Sequence, residues 1–310
     1  AGPQAGRRLC ESRTIQRYPP SEVDIYGWGP GPVWRLEDID LAPTIIGWGV
    51  HLGDDEPYLD WLRGPKKAGA QHISAVSIWN KDSWKKLEDL PPELKSAYLT
   101  GFDGEPLYIQ ESVFLNFLHP SFQEWLKGKM KLHIDAGTDG FIFDEHWGTS
   151  QAVVEGRGPF DNYSLSGFRE YLRGKYPVEE LRKQGVQDLA SFNYRDFLVK
   201  NGYQDRYRSF WENPAPFQKD YRRFLLESSN RIIKELIGYA SSYASQKGKV
   251  LKFALNSDPL HGTDVFDVYD RLDLFVFEHE WFPEWRGQPD RAGFDAGAPV
   301  AAKMKYAQTL

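Results

Sequence analysis

The feature that most constrains the fold of this chain is an alternation of short apolar runs with segments of helical spacing. A segment with helical periodicity, 57–69, follows the first apolar run. A second helical segment, 121–137, precedes the most apolar run. Strands that alternate with helices predict a parallel α/β fold. Six runs have the length and β-branched or aromatic content of strands, at 44–51, 72–79, 107–117 (the weakest), 140–147, 250–257 and 272–281.

Two parallel α/β architectures compete, and the sequence favours the barrel. A doubly wound sheet usually carries a glycine-rich phosphate loop, but the GWGPGP stretch at 27–32 has no helix after it and no Walker motif occurs. We therefore predict an α/β chain with a (β/α)8 TIM-type barrel over 44–310, after an irregular N-terminal lead-in over 1–43. Six strands leave two unaccounted for, so either the barrel is incomplete or atypical, or the N-terminal region supplies strands that its sequence does not reveal.

A long insert interrupts the alternation after the fourth strand. Residues 148–249 separate this strand from the fifth, whereas a βα connection usually needs about 2–6 residues and one helix. The insert itself has helical periodicity at 164–176 and 217–244, with a short helix expected within 193–203. We predict a helical lid or pocket wall above the carboxyl end of the barrel strands.

Two similar strands end in acidic residues, and they suggest the chemistry. Asp144 follows Phe-Ile-Phe and Glu278 follows Phe-Val-Phe, so both carboxylates are expected at the barrel mouth, where TIM-barrel active sites lie. Burial there raises the pKa of a carboxyl group, as a general acid needs, and two carboxylates roughly 5–10 Å apart suffice for glycoside hydrolysis. Glu145 faces the opposite way unless the strand has already ended, and Glu280 shares the face of Glu278. Both are therefore alternatives. The acids could instead cap helices or pair with lysines.

Other strand-end residues are candidates for substrate binding. Asn256 ends the fifth strand, where its amide could hold a sugar hydroxyl or a carboxylate, or simply start a turn. His51 ends the first strand, where it could bind substrate or be a hydrogen-bonded residue at the rim of the core. Sugar faces stack on indoles, and tryptophans follow three strands, at Trp79, Trp147 and Trp281, although some tryptophans must belong to the core.

The 137–145 stretch, Gly-Thr-Asp-Gly-Phe-Ile-Phe-Asp-Glu, resembles the fourth-strand signature of TIM-barrel glycoside hydrolases. With Asn256 and the later Phe-x-Phe-Glu strand, it is similar to endo-α-1,4-polygalactosaminidases and related exopolysaccharide hydrolases. That resemblance implies Asp144 and Glu278 as the catalytic pair. The insert is instead similar to bacterial hydrolases near the family-42 β-galactosidases, whose acid is the Glu of an Asn-Glu pair. This chain has Asp144-Glu145 there, so that resemblance would move the acid to Glu145. The resemblance covers roughly residues 120–285.

Charge and composition exclude several other classes. The net charge is −6, with no basic stripe among the aromatic residues, so nucleic acid is not an expected partner. No run of about 18 apolar residues occurs, so no membrane span is expected. The single cysteine, Cys10, allows no intrachain disulfide. The chain starts without Met, and if a leader was removed, secretion or a periplasmic location is expected. No cofactor is implied, and the oligomeric state is open.

Two alternatives complete the sequence-based interpretation. A metal-dependent hydrolase could use Asp144, His146, His261, Glu278 and Glu280 as ligands, but no His-x-His follows the first strand and no HExxH motif occurs. The non-enzymatic alternative is a carbohydrate-binding barrel that has lost its chemistry. The favoured hypothesis is a glycoside hydrolase that cleaves a polysaccharide or oligosaccharide with no metal ion.

Overall fold

The computed structural model describes residues 26–28, 45–51, 71–77, 84–109, 111–144, 148–256, 268 and 270–276. Parallel pairing joins six of its strands into one sheet, in the order β1-β2-β3-β6-β7-β8. The predicted parallel α/β fold is therefore confirmed. Within the described residues the sheet is open between β1 and β8, so closure into an eight-stranded barrel stays a prediction. The strands are β1 (Tyr26–Trp28), β2 (Ile45–His51), β3 (Gln71–Ser77), β4 (Tyr108–Ile109), β5 (Ser112–Val113), β6 (Gly140–Asp144), β7 (Lys252–Asn256) and β8 (Leu274–Val276).

The expected strand at 107–117 is wrong. This segment forms the antiparallel β4–β5 pair, which is separate from the main sheet. The chain reverses at Glu111, whose φ of 67° is unusual for a residue with a side chain. Leu107 and Phe114 are buried in a small cluster with Leu99, whereas Leu115 and Phe117 pack in the larger core beside the sheet.

The N-terminal region contributes one strand to the sheet. β1 pairs in parallel with β2, and Tyr26 lies opposite Ile45. Residues 1–43 were predicted to be irregular, although a strand contributed by this region was left open. Its glycines and prolines hide a strand of only three residues.

The described residues form seven α-helices and three single-turn 3-10 helices, and the predicted helices at 121–137, 164–176, 193–203 and 217–244 are confirmed. The predicted helix at 57–69 lies outside the described residues. Among the helices that the structure describes, none combines the length and the hydropathy that a membrane span needs. The helices are α1 (Pro120–Ala136), α2 (Gln151–Val154), α3 (Asn162–Lys175), α4 (Val178–Lys183), α5 (Tyr194–Lys200), α6 (Gln204–Tyr207) and α7 (Gln218–Ser245).

The two faces of the sheet bury different residues because side chains alternate along each strand. Phe141 and Phe143 pack in the larger core, with residues of α1 and of the C-terminal half of α7. Ile142 packs on the other face with Ala75 and Ala254. This alternation puts Asp144 on the Ile142 face, at the carboxyl end of β6.

The helical insert is built around a second hydrophobic core. Aromatic residues dominate this core, including Phe168, Tyr194, Tyr207 and Tyr221, all almost fully buried. The 28-residue helix α7 connects the two cores, since its N-terminal half packs in the insert and its C-terminal half on the sheet. At 1.5 Å per residue α7 is about 42 Å long, which makes it a rigid link between the two regions.

Candidate functional site

The candidate site lies at the carboxyl end of the sheet, where the strand register brings polar residues side by side. Ser77 of β3 pairs with Asp144, Asp144 pairs with Asn256, and Asn256 pairs with Val276 of β8. Residues in register on parallel strands share a face. In the order β6-β7-β8, the strand that ends with Asn256 lies between the strand of Asp144 and the strand that precedes Glu278.

Gly140 explains how β6 can lie against β7 at this point. An added Cβ at Gly140 would be 1.9 Å from the carbonyl oxygen of Lys252, its partner in the register. Only glycine is compatible with this approach. The Gly that precedes the Phe-Ile-Phe run therefore sets the register that ends with Asp144 beside Asn256.

Asp144 and Asn256 form a direct hydrogen bond. Asn256 Nδ2 donates to Asp144 Oδ1 over 2.9 Å, and only 8% of the Asp144 surface is exposed. An N–H donor aimed at a carboxylate stabilises its ionised form and fixes its orientation. Asn256 therefore holds a carboxylate of the protein itself, one of the two uses that its amide suggested.

The second acid, Glu278, lies outside the described residues. Val276 ends β8 in register with Asn256, and Glu278 follows it two positions later in the sequence. Adjacent strands are about 4.8 Å apart, so β6 and β8 are separated by roughly 10 Å across β7. A glutamate side chain can span part of this distance. Because Glu278 lies outside the described residues, its pairing with Asp144 stays a prediction.

The remaining predicted site residues are not brought together within the described part of the chain. His51 ends β2 beside a register irregularity, since Gly47 pairs with Ile73 whereas His51 pairs with Ala75. Such bulges bend a strand and change the direction of its end. The alternative acids Glu145 and Glu280 lie outside the described residues, as do three binding candidates: Trp79, Trp147 and Trp281.

The described residues contain no group of three or more His, Cys, Asp or Glu side chains placed to hold a metal ion. Asp144 is the one described member of the metal set considered from the sequence. His146, His261, Glu278 and Glu280 lie outside the described ranges. The described residues therefore do not test the metal-dependent alternative.

A polar cluster that the sequence did not reveal joins the insert to the rest of the chain. Asp161 caps α3 by accepting hydrogen bonds from the backbone N–H groups of Tyr163 and Ser164, both at 3.0 Å. Asn116 Nδ2 also donates to Asp161, over 2.7 Å. Burial raises the pKa of Asp161, whereas these hydrogen bonds oppose the shift. An Asp just before a helical segment is the signal that would have indicated the cap, but its contact with Asn116 has no local signature.

Comparison with known proteins gives partial matches. No protein-family model matches the chain. An alpha-agarase of Thalassotalea agarivorans is 28% identical over 129 residues, which is 39% of this chain and 9% of that protein. An alpha-agarase of Alteromonas agarilytica is 24% identical over 129 residues, with the same shares of the two chains. The chain therefore spans about a tenth of the length of these agarases, and the similarity supports the predicted glycosidase.

Two solved structures are also similar. A beta-galactosidase from the psychrophilic Marinomonas ef1 matches 82% of this chain and 40% of its own, with 13% identity and a TM-score of 0.48. The glycoside hydrolase domain of PelA from Pseudomonas aeruginosa matches 93% of this chain and 80% of its own, with 10% identity and a TM-score of 0.46. The specific resemblance to polygalactosaminidases or to family-42 enzymes stays a prediction.

Proposed function

We propose that this chain hydrolyses glycosidic bonds of a polysaccharide at the carboxyl end of its sheet, with Asp144 and Glu278 as the carboxylate pair. The observation that carries the proposal is the hydrogen bond from Asn256 to Asp144 at the ends of β7 and β6. It supplies a buried carboxylate with a fixed orientation at the edge where barrel enzymes carry out their chemistry. The similarity to alpha-agarases supports a polysaccharide as the substrate and makes agarose the first one to test.

The hydrogen bond also suggests how the two acids divide the work. Glycoside hydrolysis needs one protonated acid for the leaving oxygen and one ionised carboxylate that attacks the sugar or activates water. The Asn256 amide stabilises the ionised form of Asp144, which suits the second role. We therefore assign proton donation to Glu278 and the ionised role to Asp144. The insert, which starts four residues after Asp144, would cover the bound sugar.

The test is release of reducing ends from agarose and from a panel of other polysaccharides. The parent is compared with Asp144→Asn and Glu278→Gln, and Glu145→Gln and Glu280→Gln serve as matched controls that remove a neighbouring acid. Loss of a general acid or base typically costs about 10²–10⁴ in rate, so both main variants should lose activity to that extent and the controls should not. Full activity in both main variants would refute the pair, and activity lost only in the controls would move the site to Glu145 and Glu280.

Asn256 has its own test as a positioning residue. Asn256→Ala removes the donor that stabilises ionised Asp144, so Asp144 would protonate at a higher pH. The acidic limb of the kcat/KM profile should then move to higher pH, with a smaller loss of activity than in Asp144→Asn. Asn256→Asp also removes the amide but adds a negative charge, and it should move the same limb further. An unmoved limb in both variants would contradict the assignment of the ionised role to Asp144.

The same variants and polysaccharides distinguish the carbohydrate-binding alternative from a hydrolase. If the parent binds polysaccharide without releasing any reducing ends, and both carboxylate variants bind equally well, the chain is a carbohydrate-binding barrel without chemistry.

A further inference from the structure

Trp211 is the feature of the insert that the proposed reaction does not use. It lies in the turn between α6 and α7, and 75% of its surface is exposed. Its neighbour Phe210, in contrast, is 5% exposed and belongs to the aromatic core of the insert. A single exposed apolar residue is common on protein surfaces, so exposure alone does not indicate a site.

The turn that carries Trp211 is held in place from both sides. Arg206 Nη2 donates to the carbonyl oxygen of Pro214 over 2.8 Å, which closes the loop around the tryptophan. The buried side chain of Gln218 accepts from the backbone N–H of Ala215 at 2.9 Å and donates to the carbonyl oxygen of Tyr207 at 2.6 Å. The backbone before and after Trp211 is therefore fixed by side chains of the fold.

The indole ring itself is also supported. The rings of Trp211 and Phe210 meet edge to face, with their centroids 4.9 Å apart and an angle of 90° between them. Behind this pair, the guanidinium of Arg222 lies 5.9 Å from the centroid of the Phe210 ring. A ring that is held before its ligand arrives loses less conformational entropy on binding than a mobile one.

The residues close to Trp211 in the sequence indicate the class of ligand. Arg208 and Asp205 are exposed and form an ion pair at 3.8 Å, and Glu212 and Asn213, which follow Trp211, are also exposed. Protein interfaces centre on contiguous apolar residues, whereas the exposed residues of this turn other than Trp211 are polar. The nearby charges include both signs, which does not favour a polyanion such as nucleic acid.

We propose that Trp211 is the stacking platform of an accessory carbohydrate-binding site on the insert, for a neutral hexose unit of a polysaccharide. The C–H face of such a sugar is apolar and flat enough to lie on the indole. Exposed polar residues close to Trp211 in the sequence, among them Arg208, Glu212 and Asn213, then bind its hydroxyl groups. The site rests on the proposed function only for the identity of the polymer, since it would hold the chain of sugars while cleavage takes place elsewhere.

The experiment compares the parent, Trp211→Ala, Trp211→Phe and Val199→Ala. Val199 lies on α5 of the same insert and is 43% exposed, so its variant is a matched loss of exposed apolar surface. Binding is measured by affinity electrophoresis in polyacrylamide gels that contain soluble agarose, dextran or the sulfated polymer carrageenan. Circular dichroism checks that each variant is folded.

We expect Trp211→Ala to bind agarose at least about ten-fold more weakly than the parent, Trp211→Phe to be intermediate, and Val199→Ala to be unchanged. Binding of the parent to carrageenan should be weaker than to agarose because of its sulfates. In hydrolysis assays Trp211→Ala should raise KM for the polymer without changing kcat, and a short soluble oligosaccharide should be cleaved at the parent rate.

The outcomes separate the accessory site from the proposed function. Binding that depends on Trp211 in a parent that cleaves nothing would support the site and reject the hydrolase. Cleavage with no effect of Trp211→Ala on binding would overturn the site alone, as would a parent that binds none of the polymers. A change in molecular mass by light scattering in Trp211→Ala would instead identify Trp211 as a contact between copies of this chain and also overturn the proposal.

Discussion

The sheet region and the helical insert solve the same packing problem with different residues. Nine of the 17 buried residues in the insert core are aromatic, against five of 23 in the main sheet core. Three of the aromatic residues in the insert are tyrosines, and each donates its hydroxyl to a backbone carbonyl, those of Pro216, Gly158 and Pro159. The buried part of the described sheet core contains no tyrosine.

The difference follows from the backbone. Strands satisfy their N–H and C=O groups in the ladder, so the side chains between them can be purely apolar. The insert consists mainly of short helices joined by loops, and their carbonyl groups need partners inside a core. A tyrosine supplies apolar surface and a hydroxyl donor in one side chain, which explains its use there. The sheet region should therefore be most sensitive to backbone clashes, and the insert to the loss of single hydroxyl groups.

The largest effect is expected from Gly140→Ala in the sheet. Its Cβ would be 1.9 Å from the carbonyl oxygen of Lys252, and backbone atoms on both strands cannot move without breaking the β6–β7 ladder. We expect a loss of about 3 kcal/mol or more in the free energy of unfolding. The control is Gly128→Ala on the exposed side of α1, where nothing lies within 4 Å of the added Cβ. Urea denaturation should show this control stabilised by about 0.5–1 kcal/mol, and a Gly140→Ala variant as stable as the parent would reject the register.

An intermediate effect is expected from Tyr207→Phe in the insert. The Tyr207 hydroxyl donates to the carbonyl oxygen of Gly158 over 2.6 Å, and the side chain is fully buried. The variant keeps the ring but leaves the carbonyl without this donor, at a cost of about 1–3 kcal/mol. Tyr163→Phe is the matched control, because that tyrosine is 47% exposed and should change stability by less than about 0.5 kcal/mol. Equal stabilities for the two variants would show that the hydroxyls do not distinguish the insert core.

The smallest effect is expected from Asp135→Asn on the surface of the sheet region, where an ion pair and a hydrogen bond hold α1. Lys247 Nζ contacts Asp135 at 2.5 Å, and the Tyr243 hydroxyl donates to the same carboxylate over 2.9 Å. The hydrogen bond from Lys247 is the main cause that lowers the pKa of Asp135 to about 2 from 3.8. A lowered pKa means that stability from this group is present above pH 3.8 and is lost as the pH falls towards 2.

The measurement is the pH dependence of unfolding by urea between these two pH values, at low and high salt. Asp135→Asn should flatten the acid slope slightly, and salt should weaken the difference because the groups are exposed to solvent. Glu235→Gln, which removes the Arg231 pair on α7, controls for a general loss of surface charge. An unchanged slope in Asp135→Asn would show that the contacts of Asp135 with Lys247 and Tyr243 contribute nothing to the free energy of unfolding in this pH range.

The elements predicted well from the sequence are those with long or strongly apolar patterns. β6, β7, α1 and α7 all lie where the periodicity placed them, because a buried face leaves a regular signal over many residues. β1 was missed since three residues among glycines and prolines give no such signal. The segment 107–117 was misassigned because it forms a local hairpin whose apolar residues are buried in the small cluster and in the main core, and periodicity does not distinguish such a hairpin from a strand of the sheet.

In the candidate site, too, features with a regular sequence pattern were predicted and features without one were not. The adjacency of Asp144 and Asn256 follows from two strands that end in register, and a sequence can predict it. The sequence left several uses of the Asn256 amide open, and it could not identify Asp144 as its partner because this hydrogen bond depends on side-chain geometry. Contacts such as Asn116 with Asp161, or Tyr207 with Gly158, join residues 45 and 49 positions apart and have no repeating pattern to reveal them.

The position of the insert has a consequence for how this architecture can change. Asp144 and Asn256 are 112 residues apart in the sequence, and almost all of the intervening chain is the insert and α7. The entropy of bringing two chain ends together grows only with the logarithm of the length between them, so doubling that length costs about 0.6 kcal/mol. Additions in the loops of the insert would thus leave the Asp144–Asn256 contact nearly as easy to form. Selection could therefore lengthen or shorten the insert while the Asp144–Asn256 pair stays the same.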